Sequence, residues 1–116
     1  MSTKYKMIYR TVVTGLSHHN YALHAKEIEV GDELEMKRDL GNTFDSNAVA
    51  LHHEHRIFGA EQIGWLQKVG NNSGQHVIAK LLDAGVDLKC VVISHDKNIS
   101  RLDERMYVGV MIGVDE

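Results

Sequence analysis

The sequence predicts a mainly β domain: a small, partly closed barrel of six strands, with one main helix and a short helical turn inserted between strands 4 and 5. Three observations predict it. Apolar and polar residues alternate at period two over several short stretches. One stretch past the middle switches to helical spacing. The length of 116 residues, 43% of them hydrophobic, suits a single domain over residues 1–116 with a core of its own.

The elements follow in chain order. Met7 to Leu16 carries Ile8, Tyr9, Val12 and Val13, a β-rich run that ends at Gly15. Ile28, Val30, Leu34 and Met36 alternate with glutamates. Broken at Gly31-Asp32, they predict two half-buried strand pieces around a bend. Asn47 to His53 is apolar on both faces before it turns polar, and Arg56 to Leu66 pairs with it as a hairpin. A helical turn is expected at Gln67 to Val69. Val77, Ile78, Leu81 and Leu82 then recur at helical spacing between Asn72 and Gly85. Asn72 or Ser73 is the N-cap, and Gly85 is the residue past the last turn. Val86, Leu88, Cys90 and Val92 alternate, as do Met106, Val108, Val110 and Ile112. The segment from Ser94 to Arg105 is a long polar connection.

Composition narrows the function. Thirteen Lys plus Arg against sixteen Asp plus Glu give a net charge of −3, which excludes a polybasic DNA-coating protein but not a local basic site. No apolar run approaches the roughly 20 residues of a membrane span, and the positive N-terminus lacks the apolar stretch of a signal peptide. The lone Cys90 has no internal partner, which fits a reducing, cytoplasmic compartment. There is no proline, so Gly and Asn must supply the turns.

Eight histidines stand out. On a strand, His53 and His55 share a face, so two imidazoles could meet one metal. No His-Glu-x-x-His accompanies them, and exposed loop histidines are the plainer reading, so no metal or other cofactor is expected. Gly70 and Gly74 bracket Asn71-Asn72-Ser73 without the Gly-Lys-Ser/Thr of a phosphate loop. Cys90 beside Lys89 belongs to an apolar row and reads as core. Lys37-Arg38 extends a basic track or faces water, and water is the simpler reading. No enzyme signature emerges. The most informative stretch is Asn42-Thr43-Phe44-Asp45-Ser46-Asn47-Ala48-Val49, a tight polar loop entering a buried strand. In it Asp45 and Asn47 can cap local N–H groups, and Phe44 is either a plug or an exposed aromatic platform.

At this loop the sequence resembles the HIRAN family, found at the N-terminus of helicase-like transcription factor and as small stand-alone proteins. The resemblance opens at Val12-Val13-Thr14-Gly15-Leu16 and continues through Val30-Gly31-Asp32-Glu33-Leu34. It is most specific at residues 42–49, where the family has Asn-Pro-aromatic-Asp-x-Asn-Ala-Ile. It resumes at Ile63-Gly64-Trp65-Leu66 and at the helix Ala79 to Gly85, covering about residues 8–95. The resemblance implies an OB-like six-stranded barrel that binds single-stranded DNA by a free 3′-hydroxyl end. It implies that Asp45 meets that hydroxyl, that Phe44 offers a ring beside it, that Trp65 lies near the terminal nucleotides and that Lys68 contacts phosphate. Ser17 and His18 stand where the DNA-binding relatives carry an arginine and a tyrosine, with Tyr21 close behind. Thr43 replaces the family's proline. The ATPase activity of the larger relatives belongs to other domains, so a non-enzymatic module is expected. Two alternatives stand beside it: a protein-interaction or self-associating module, even a homo-oligomer, that has lost DNA binding, and a metal-dependent hydrolase using the histidines with Asp45.

Overall fold

A computed structural model describes residues 3–16, 20–67, 74–97 and 106–115. The elements run β1 (Thr3–Thr14), α1 (Tyr21–His24), β2 (Glu33–Arg38), β3 (Val49–His55), β4 (Gly59–Leu66), α2 (Gly74–Asp83), β5 (Leu88–His95) and β6 (Met106–Asp115). The six strands close a barrel in the order β1-β4-β3-β2-β5-β6, every described pairing antiparallel. Closure rests on two thin seams. Among the described residues β1 pairs with β4 at Val13–Leu66 and Thr14–Trp65, and β2 pairs with β5 at Glu33–Val91 and Leu34–Cys90.

Period-two patterning decides which residues fill the barrel. Cys90 and Val92 of β5 and Met106, Val108 and Val110 of β6 are fully buried, as are Val49 and Leu51 of β3 and Ile63 of β4. α2 buries Ile78 and Ala79 against this core, with Leu81 and Leu82 partly buried beside them, while Val77 of the predicted stripe is exposed. Its end is a Schellman closure: Val86 N–H donates to Leu81 O and Gly85 N–H to Leu82 O, both at 3.0 Å, with Gly85 at φ 76°.

Two expectations need correction. Ile28 to Val30 is not a strand. Asp32 accepts from Glu29 N–H through its carboxylate at 2.8 Å and donates its own N–H to Glu29 O at 3.0 Å, and Gly31 sits at φ 96°. This tight turn wins over the alternation, burying Ile28 while Val30 stays exposed. The second correction concerns the short helix. It is α1, between β1 and β2. Gln67 is not helical, and Lys68 and Val69 lie outside the described residues, as do the candidate N-caps Asn72 and Ser73. At four residues α1 is too short to show a period.

Candidate nucleic-acid interface

The loop joining β2 to β3 is built by its own polar side chains. Asn42 Oδ1 accepts from Phe44 N–H at 2.9 Å and Asp45 N–H at 3.0 Å. Asp45 Oδ1 accepts from Asn47 N–H at 2.9 Å. The Asp45 cap is the one the sequence pattern suggests, whereas Asn47 is the residue capped and Asn42 supplies the other cap. Arg38 spans the loop from below, donating to Ala48 O at 2.7 Å and Ser46 O at 2.8 Å, and to Asp83 Oδ1 of α2 at 3.0 Å. Water was the simpler expectation for Arg38. Its side chain is instead 14% exposed, because a guanidinium fork can satisfy several acceptors at once.

Beside the loop lies a concavity of about 150 Å³ lined by Thr14, Asn42, Asp45, Ala48, Trp65 and Gln75, among others. Trp65 forms one wall. Its ring lies against Gly15, where an added Cβ would come within 2.4 Å of Cε3 and Cζ3. Its Nε1–H donates to Asp39 Oδ2 at 3.0 Å. Asp45 Oδ2 accepts from Gln75 Nε2 at 3.0 Å. Phe44, next to Asp45 in the chain, is 94% exposed, and Leu40 is exposed in the same loop. Two carboxylates, Asp39 and Asp45, thus stand beside an aromatic wall, while the neighbouring cation Arg38 is engaged below. Such a pocket suits a hydroxyl donor with a flat, apolar body. A larger cavity of about 360 Å³ opens at the β2–β5 seam. Glu33, Glu35 and Glu54 line it, which disfavours a phosphate chain.

The structure therefore brings Asp45 and Trp65 to one pocket, with Phe44 exposed in the same loop as Asp45. Ser17, His18 and Lys68 lie outside the described residues. Tyr21, expected among the contacts, is buried at 1% exposure. Its hydroxyl meets His95 Nε2 at 2.6 Å, so it anchors α1 to the barrel. His53 and His55 do share a face, yet both are buried rather than loop-exposed, and they face protein partners. His53 Nδ1 meets His24 Nδ1 at 2.8 Å, and His55 Nε2 pairs with Glu27 at 2.7 Å. His24 Nε2 pairs in turn with Glu61 at 2.9 Å. Burial first, and then the electrostatic influence of the adjacent His24 imidazole, push the His53 pKa below its ordinary value. Among the described residues no group of three ligands could hold a metal. Sequence reasoning missed Asp39, Gln75 and the bridging role of Arg38. For Gln75 a signal existed: it falls in the apolar stripe of α2, three residues before Ile78.

The same fold occurs in solved structures. A crystal structure of a protein from Lactobacillus plantarum superposes with a TM-score of 0.73 at 17% identity, covering 98% of this chain and 100% of that one. The crystal structure of the HIRAN domain of human HLTF gives a TM-score of 0.63 at 19% identity, covering 93% of this chain and 76% of that one. No family model matches the chain, and no curated protein matches it. The class is thus a closed antiparallel six-stranded barrel with two helices. Within that class the fold is HIRAN-like.

Proposed function

We propose that this chain is a nucleic-acid-binding module, non-catalytic, that takes single-stranded DNA by a free 3′-hydroxyl end in the pocket between Asp45 and Trp65. The observation that carries the reading is the juxtaposition of a fixed carboxylate with an aromatic wall and a nearly fully exposed ring. The carboxylate accepts from a terminal hydroxyl and repels a terminal phosphate. Trp65 and Phe44 stack the last bases, at about 1–3 kcal/mol per base. The likeness to the HIRAN domain of HLTF supports the same direction.

The test is fluorescence anisotropy with a labelled ten-nucleotide strand ending in 3′-hydroxyl or 3′-phosphate, at two salt concentrations and at pH 6 and 7.5. A hydroxyl preference that disappears in Asp45→Ala is the expected result. Equal preference in Asp45→Ala and parent would remove Asp45 from the role, and binding without end preference would leave only a stacking groove. No binding in any condition would favour a protein-interaction module, a second reading that the exposed Leu40 and Phe44 support.

A further inference from the structure

Gln75 is a polar residue where α2 should be apolar. It sits in the first turn of the helix at 2% exposure, on the side that also buries Ile78 and Ala79. Burying an amide is costly unless it is hydrogen-bonded, and its Nε2 donates to Asp45 Oδ2 at 3.0 Å. The other carboxylate oxygen accepts from Asn47 N–H. The two bonds hold the plane of the carboxylate from two directions. A neutral amide also leaves the negative charge intact, where a lysine or arginine at the same place would compensate it.

The opposite end of α2 is tied to the same loop. Asp83 Oδ1 accepts from Arg38, whose guanidinium donates to Ser46 O and Ala48 O. Asp45, Gln75, α2, Asp83, Arg38 and the backbone of residues 46–48 thus close a circuit. The loop cannot tilt without breaking a bond at one end of the helix or the other. We propose that Gln75 is a positioning residue for Asp45, and that α2 is the brace holding this carboxylate at the angle where a terminal hydroxyl of a nucleic acid meets it. The proposal rests on the reading of the pocket given above.

The experiment compares parent, Gln75→Met and Gln75→Glu as whole chains, using anisotropy with the 3′-hydroxyl and 3′-phosphate strands from pH 5 to 8. Gln75→Met keeps the side-chain volume but lacks the donor. Its ratio of affinities for the two ends is expected to fall about tenfold, the scale of one hydrogen bond to a charged group. Gln75→Glu supplies a readout that a merely structural role would not move. Two carboxylates at this distance share a proton, and the pair titrates upward together. End preference should therefore approach the parent's at pH 5, where the bridging proton is present, and be lost relative to the parent at pH 8. If Gln75→Met fails to fold, Gln75→Glu carries the test alone. A discriminating parent with an equally discriminating Gln75→Met overturns the brace and spares the pocket, as does a parental pH profile in Gln75→Glu. A parent that does not distinguish the two ends overturns the pocket reading and this proposal with it.

Discussion

Gly15→Ala and Gly31→Ala make a matched pair that isolates the packing of the candidate site. Both glycines have left-handed backbones, φ 74° and 96°, so alanine brings a similar backbone penalty to each, about 1–2 kcal/mol. At Gly31 nothing lies within 4 Å of the added methyl, and the penalty ends there. At Gly15 the methyl would sit 2.4 Å from two ring carbons of Trp65, well inside the roughly 3.5–4.0 Å of an ordinary carbon contact. The indole must therefore swing away and lose its Nε1–H bond to Asp39, which adds about 1.5–3 kcal/mol because the acceptor is charged. Totals of about 2.5–5 against 1–2 kcal/mol follow. With a urea slope of about 2 kcal/mol per molar, the midpoint shifts should be about 1.2–2.5 M and about 0.5–1 M. Trp65 is the lone tryptophan, so its fluorescence reports both unfolding and, by a red shift in the folded protein, release of the ring. Equal midpoint shifts with unchanged emission in Gly15→Ala would refute the placement of the ring.

Further outcomes test separate parts of the structure. Phe44→Ala should leave the unfolding free energy from urea titration within about 0.5 kcal/mol of the parent, as exposed substitutions do, while weakening all single strands by about 1–3 kcal/mol in anisotropy; loss of stability would show that the ring is not the exposed platform described. The lowered His53 pKa means that the unfolded chain takes up this proton first. Its contribution to stability is complete above about pH 6.5 and is lost as pH falls through the folded value, by at most about 1.4 kcal/mol per pH unit. Urea midpoints at pH 7.5 and 5.5 should show this fall, and His53→Leu should flatten it; an unchanged slope in the variant would count against the assignment. Cys90 is fully buried, and burial pushes its thiol up to about 12. Iodoacetamide at pH 8 should therefore label it only after denaturation, and rapid labelling of the folded chain would contradict that burial.

What the sequence made legible is what periodicity and turn chemistry encode. The alternation at Cys90 and Val92 and from Met106 to Val110 placed β5 and β6, and Gly85 placed the end of α2. At the loop 42–49 the Asp45 cap was readable because it is local, its donor lying two residues away, although the part played by Asn42 was not read. The rest depends on contacts between distant segments. Asp39 meets Trp65 across 26 residues, Gln75 meets Asp45 across 30 and Arg38 meets Asp83 across 45, and no spacing rule joins such pairs. The histidines misled for the same reason. His53 and His55 share a face, as period two requires, but that face is covered by His24 and Glu27, both contributed by the segment before β2.

The missing proline gains a physical account from these distant contacts. Where the resembled family has a proline beside the aromatic residue, this chain has Thr43, and a fixed φ is lost from the loop. Rigidity returns through bonds to neighbouring side chains and elements. Asn42 holds two consecutive N–H groups, Arg38 holds two carbonyls, and Gln75 holds the carboxylate itself. A proline stiffens a loop without reference to anything around it, and the Asn42 caps are equally local, whereas the bonds from Arg38 and Gln75 stiffen it only while β2 and α2 are docked. The geometry at Asp45 is therefore coupled to the packing of the helix. A change in α2 far from the pocket, such as loss of the Asp83 carboxylate, should reach the site through Arg38, although Asp83 itself does not line it.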